Sequence, residues 1–201
     1  MRLPPHLAPI EAVVVPIIKG SDTAAVAQAH QIAGELRGDF RIRVDDRDYT
    51  PGWKYSEWEM RGVPVRIEIG PRDIESQSVT LVRRDKNKGA VGAKVSVARS
   101  EVAPRLRETL NDIQRSMYAQ AKSFLESHTY AVSDRDEFFS LCQSRAGMIN
   151  IPFCNRPECE ANVKERTSAT TRVLWELRDA GAACVACGEP ATVQAYFAQT
   201  Y

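Results

Sequence analysis

The sequence predicts an α/β chain: a mixed sheet covered by helices, followed by a smaller region that carries the cysteines. Three observations predict it. Short apolar or alternating runs take turns with helical patterns in the order strand-helix-strand-helix-strand, then a hairpin, then a long helix. A polar break, HTYAVSDRD, interrupts the chain near residue 130. All five cysteines lie beyond that break. The predicted domains are therefore 1–129 and 130–201.

The elements follow in order. LPPHLAP is an extended, proline-stiffened lead-in, and residues 1–9 read as a linker. IEAVVVPII is a buried strand. Ser21 or Asp22 is placed to cap a helix running to Gly38, whose apolar face includes Ala25, Ala29, Ile32, Ala33 and Leu36. FRIRV alternates as a half-buried strand does. Thr50-Pro51 is a helix start, a capping hydroxyl followed by proline at the first helical position, and Gly62 is its stop. VPVRIEIG places Val65, Ile67 and Ile69 on one face of a strand and Arg66 and Glu68 on the other. SVTLV and AVGAKVSV flank RRDKNKG, a hairpin with a basic tip. From Glu101 to Ser127 the residues Leu106, Leu110, Ile113, Met117, Ala121 and Phe124 recur at helical spacing.

With 201 residues, 43% of them hydrophobic, the chain can bury one large core or two small ones. Lys and Arg number 27 against 26 Asp and Glu, so any basic binding site is local and not global. No apolar run reaches membrane-spanning length, and MRLPPHLAP lacks the apolar core of a signal peptide. A cytoplasmic protein with reduced cysteines is expected, which points paired cysteines to metal before disulfide.

Cys154 and Cys159 have four residues between them, Cys184 and Cys187 have two, and 24 residues separate the pairs. Two short-spaced thiol pairs on separate knuckles suit a four-thiolate zinc site, structural because no coordination position stays open. Gly188 allows the tight turn after the second knuckle. Lys164, Arg166 and Arg172 are near enough in sequence to offset the excess negative charge. Cys142 falls on an apolar helix face and reads as a small core residue.

Residues 46–73, DRDYTPGWKYSEWEMRGVPVRIEIGPRD, interleave aromatics, carboxylates and cations. On a helix from Pro51, Tyr55 and Glu59 lie one turn apart on one face with Trp58 beside them. A ring there can stack on an unpaired base, and a carboxylate can accept from N1–H and the N2 amino group of guanine. Arg66, Arg72 and the hairpin cations Arg83, Arg84, Lys86 and Lys88 add donors and phosphate contacts, and Asp73 follows Arg72 at the strand end. The same residues also fit a plain core reading, with Tyr55 and Trp58 as core residues, Glu59 a solvated partner of Arg61 or Arg66, and the hairpin cations an ordinary solvated tip.

LPPHLAPIEAVVVPI, the 46–73 tract, the two cysteine pairs, TSATTR and the terminal FAQTY together resemble the C-terminal half of prolyl-tRNA synthetase of the archaeal/eukaryotic-like type, from Leu3 to Tyr201. The resemblance implies a class II anticodon-binding domain, with a mixed five-stranded sheet and three helices, followed by a C-terminal α/β zinc-binding domain. It implies recognition of the two guanines of the tRNA(Pro) anticodon by Tyr55, Glu59, Arg66, Arg72, Asp73 and Lys88, with Arg84 as a weaker candidate. It assigns Cys154, Cys159, Cys184 and Cys187 to zinc and brings Tyr201 near the catalytic site of the parent enzyme. The catalytic core, which binds ATP and proline, has no match in this chain, so the chain alone is expected to be non-catalytic. Its partners would be tRNA(Pro) and the catalytic domain of a homodimeric parent. Two other readings stay open: a free-standing accessory subunit related to anticodon-binding domains, and a zinc-stabilised protein-interaction module.

Overall fold

A computed structural model of the chain describes residues 1–18, 23–179 and 181–199. The chain divides into two compact units, Met1–Gln120 and Ala121–Tyr201, the division falling within one long helix.

The first unit holds a five-stranded sheet made of β1 (Ala12–Pro16), β2 (Ile42–Val44), β3 (Val65–Ile69), β4 (Ser78–Arg83) and β5 (Lys94–Ala98) in the order β2-β1-β3-β4-β5. β1 runs parallel to both its neighbours, whereas β3, β4 and β5 form antiparallel pairs. Parallel neighbours need crossovers, and α1 (Ala24–Leu36) and α2 (Pro51–Met60) supply them. A short helix, α3 (Pro71–Glu75), joins β3 to β4. Nothing in the sequence pattern signalled α3, because one turn is too short for a periodicity to register.

Helix starts and stops follow the local chemistry. Thr50 is extended, its hydroxyl accepts from the Trp53 N–H, and Pro51 occupies the first turn, as expected. Gly62, just past the end of α2, has φ +77°, and a Cβ there would lie 2.7 Å from the Leu3 side chain. α1 ends at Leu36, short of the expected Gly38. Its first flanking residue, Thr23, makes no side-chain capping bond, and the expected caps Ser21 and Asp22 lie outside the described residues.

β1 is buried along its whole length because helices cover it on both sides. Ala12 and Val14 join Ile67, Leu81, the α1 residues Ala29, Ile32, Ala33 and Leu36, and Leu106, Leu110 and Ile113 of α4 (Val102–Ser127) in the main core. Val13 and Val15 face the other way and pack with Trp58 and Val63, with Tyr55 against them. The sequence spacing runs the apolar stripe of α4 from Leu106 to Phe124. It is covered through Ile113, Met117 is half-buried, and Ala121 and Phe124 are exposed. Helical spacing places residues on one stripe but does not say how far the underlying sheet extends.

The second unit holds β6 (Thr129–Ala131), β7 (Met148–Phe153), β8 (Ala169–Glu176) and β9 (Val193–Gln199) in the order β6-β7-β9-β8, parallel between β6 and β7 and antiparallel elsewhere. α5 (Arg135–Gln143) and α6 (Pro157–Thr167) pack on this sheet. Phe138, Phe153 and Phe197 meet edge to face at its centre, with ring centroids 5.1–5.4 Å apart. Cys142 lies buried in this core, and burial raises its thiol to about 11. Among the described residues no helix is long and apolar enough to cross a membrane.

Candidate nucleic-acid interface and metal centre

Strand register builds the first site. The face of the first sheet opposite the main core carries Arg66 and Glu68 from β3, level with Val13 and Val15 of β1 on one side and with Val82 and Thr80 of β4 on the other. α2 lies over the β1 side, so Tyr55 and Glu59 come to rest above β3. The Arg66 guanidinium stacks on the Tyr55 ring, 3.7 Å from its centroid. Its Nε donates to Glu68 at 2.9 Å and its Nη1 to Glu59 at 3.3 Å. Ring, carboxylate and guanidinium are therefore one assembled cluster.

The cluster is neither sealed nor free. The Glu59 side chain is 44% exposed, and its second oxygen has no hydrogen-bond partner among the described residues. Tyr55 is half-buried, with burial and then the negative charge of Glu68 pushing its phenol up to about 12. Arg66 is 13% exposed. The core reading of this tract describes Trp58, which is buried with its indole N–H donated to Asp45 Oδ2 at 2.7 Å, and it describes the Glu59–Arg66 pair. It describes Glu59 as well, a solvated partner of Arg66, and leaves aside only the outer edge of Tyr55.

The other candidates stand around this cluster. Arg72 is exposed on α3. Asp73 already serves the fold. Its Oδ2 accepts from the Gly70 N–H at 2.8 Å and caps α3, and its Oδ1 accepts from the Thr80 hydroxyl at 3.4 Å. Arg84 lines a cavity of about 20 Å³ with Trp58, Glu59 and Arg66, and its Nε is buried without a hydrogen-bond partner among the described residues. Lys88 is exposed in the loop between β4 and β5. Of the remaining hairpin cations, Arg83 is paired to Asp85 and Asp112, and Lys86 donates to the Val91 carbonyl. Tyr201 lies outside the described residues.

Sequence reading missed three groups that hold the site. Glu68, expected on the charged face of its strand, is 4% exposed and binds Arg66 and Lys94 at once. Asp45 is buried and accepts from Trp58 and Arg47. Those bonds outweigh the opposing effect of burial and hold its carboxyl below the usual range. Lys54 is 1% exposed, with its ammonium donated to the Asp45 carbonyl at 3.1 Å. Together they fix α2 on β1 and β2. Two acidic residues in a row and a lysine between aromatics were the available signals, but periodicity does not report burial of a charge.

In the second unit, Cys154 directly follows β7, Cys159 sits in the first turn of α6, and Cys184 and Cys187 lie on a small hairpin closed by the Ala183–Pro190 bridge. Gly188 turns that hairpin with φ +84°. The four Sγ atoms lie within 4.8 Å of one another, with Cys159–Cys184 at 3.9 Å and Cys154–Cys187 at 3.7 Å. A tetrahedron with metal–sulfur bonds of about 2.3 Å has edges of about 3.8 Å, so the set fits one metal ion and is too widely spaced for disulfides. The cation in contact with sulfur is Arg156, 3.6 Å from Cys187 Sγ. Arg166 and Arg172 are engaged elsewhere, Arg166 over the Phe139 ring at 3.5 Å and Arg172 on the Ala198 carbonyl. Cys159 and Cys184 are raised by burial. Cys187, against the pull of burial, is lowered to about 7 by the Glu189 backbone N–H and Arg156.

Comparison with known proteins matches both units. Residues 11–109 match the family described as "Anticodon binding domain", and residues 135–201 match "Prolyl-tRNA synthetase, C-terminal". The chain is 40% identical over 205 residues to a proline–tRNA ligase of Natranaerobius thermophilus, covering 100% of this chain and 41% of that protein. It is 40% identical over 208 residues to one of Thermococcus kodakarensis, covering 100% and 42%. A third, of Lachnospira eligens, is 38% identical over 201 residues, covering 99% and 41%. The chain thus spans about two fifths of the length of these curated relatives.

Proposed function

We propose that this chain, made of the anticodon binding and C-terminal domains of the prolyl-tRNA synthetase family, recognises the anticodon of tRNA(Pro) for an enzyme that attaches proline to it with ATP. One observation carries the reading: the Glu59 carboxylate is held by Arg66 through one oxygen while the other stays open, beside a half-exposed tyrosine ring. Guanine presents N1–H and the N2 amino group in parallel, and a positioned carboxylate accepts both. Tyr55 has one face under Arg66 and packs against the Val13, Val15 and Trp58 cluster, so it meets a base with its exposed outer edge. Arg72 and Lys88 are exposed, have no carboxylate partner among the described residues, and supply donors and phosphate contacts. Asp73, with Oδ2 committed to the Gly70 N–H, offers a guanine only Oδ1. Arg84 brings a buried Nε–H, without a partner among the described residues, to the small cavity beside Glu59 and Arg66.

In this account residues 1–129 are the anticodon-binding domain, with 1–9 leading in from the catalytic part, and 130–201 are the C-terminal domain. Zinc is the metal for Cys154, Cys159, Cys184 and Cys187. When bound it supplies no catalysis, only cross-linking of β7, α6 and the small hairpin, because four thiolates close its coordination. Activation of proline belongs to the part of the relatives outside the matched length. The chain by itself charges no tRNA, works in the cytoplasm, and in the parent dimer brings Tyr201 to the catalytic site.

The test is binding to a proline anticodon stem-loop against loops in which either guanine is replaced by adenine. Loss of about 1–3 kcal/mol per replacement is expected. Equal affinity for all the loops would overturn anticodon reading.

A further inference from the structure

α2 covers only half of one sheet face. Over β1 and β3 the face is closed by Trp58, Tyr55 and Glu59, but over β4 and β5 it is open. The register fixes what the open half presents. Arg66 is level with Val82, and Val82 with Lys94. Glu68 is level with Thr80, and Thr80 with Ser96. Two cross-strand rows thus run outward from the Arg66–Glu68 pair, and they end in an exposed lysine and an exposed serine. Lys94 is no ordinary surface lysine. Its ammonium lies 2.8 Å from Glu68, a carboxylate only 5% exposed, while the Lys94 side chain is 63% exposed. An exposed lysine otherwise samples many rotamers, and this one is tethered at its tip beside the candidate base-reading cluster.

We infer that this open half-face is a second, sequence-blind part of the RNA surface, with Lys94 binding a phosphate of the anticodon-loop strand and the exposed Ser96 hydroxyl beside it facing the ribose-phosphate chain. Charge complementarity selects that occupant. Glu68, at the head of the neighbouring row, is only 5% exposed, so the charge that these two rows turn outward on β5 is the lysine's. Small hydroxyl side chains leave room for a backbone to lie on the strands. Arg66 and Glu59 read a base, and Lys94 holds the chain two strands farther out along the Arg66 row. The inference rests on the anticodon reading above for the identity of the RNA.

Salt-dependent binding of the same 201-residue chain to the proline anticodon stem-loop tests it. Lys94→Met should weaken binding about three- to tenfold at low salt and make the slope of log affinity against log salt shallower by about 0.7–1. The loss should be equal for loops with either guanine replaced, and Lys94→Arg should restore it. Unchanged affinity and slope in Lys94→Met would overturn the phosphate contact, and so would a loss that depended on the guanines. A wild-type chain that ignored guanine replacement yet lost affinity on Lys94→Met would uphold the contact and overturn the anticodon reading. The two claims therefore fail separately.

Discussion

Tyr55 is the residue on which the electrostatics of the first site can be read directly. Burial, then the nearby charge of Glu68, disfavours its ionised form, while Arg66 pulls the other way. Its folded pKa of about 12 stands above the ordinary 10.0, so the neutral phenol contributes stability below pH 10 that is lost as pH rises toward 12. Ultraviolet titration of wild type against Tyr55→Phe should reveal one tyrosine titrating near 12. If the missing transition in Tyr55→Phe lies near 10, the packed cluster is wrong. Glu59→Ala should weaken binding to a proline stem-loop by about 1–3 kcal/mol, measured by direct titration, with little change in thermal stability because the carboxylate is exposed. Sequence reading could bring Tyr55 and Glu59 to one helix face, since spacing alone decides that. It could not find Glu68. Alternation says that residue 68 opposes Ile67, but only the packing of α2 and the reach of Lys94 decide that the opposing face is closed there.

Among the elements, α2 positions Tyr55 and Glu59 over Arg66 of β3. It is weakly amphipathic by sequence, since its inward residues are Lys54 and Trp58 and not a row of aliphatics. What holds it is a good start, a defined stop, and polar bonds to Asp45. Thr50→Ala removes the cap and should cost about 0.5–1 kcal/mol, toward the low end because the capping bond is long at 3.4 Å. Denaturant unfolding would measure this. The helix was legible because threonine, proline and glycine are strong local punctuation. α3 was not, and its presence changes the meaning of Asp73. A carboxylate that the family resemblance gives to guanine is already capping a helix through Oδ2. The long α4 was legible as a helix, but the point at which its stripe leaves the core was not, for that depends on where the sheet ends.

The whole molecule is two units with different sources of stability. The first has a sheet enclosed on one face by α1 and α4 and half-enclosed on the other by α2. The second is small, and its core includes Cys154, Cys159 and Cys184 themselves. Three of the four thiols are thus core residues as well as candidate metal ligands, and removing the ion leaves them crowded, with the Cys159 and Cys184 thiols raised and protonated. Chelation should accelerate hydrogen exchange after Asp136 while leaving residues of the first unit protected. Uniform protection after chelation, or protein prepared without chelator that contains no zinc, would contradict a structural zinc site. The cysteine set was legible from spacing because a tetrahedral ion imposes short-range pairs on the chain. Its counter-cation was not, since Arg156 reaches Cys187 only through the fold.

The central claim is that an open carboxylate on α2 accepts from the Watson–Crick edge of a guanine. Replacing each anticodon guanine in turn by inosine removes the N2 amino group and nothing else. The account predicts that wild-type chain binds at least one inosine-bearing loop about tenfold more weakly than the guanine loop, and that Glu59→Ala shows no further loss on the same replacement. Equal affinity of the wild-type chain for guanine and inosine at both positions would contradict it.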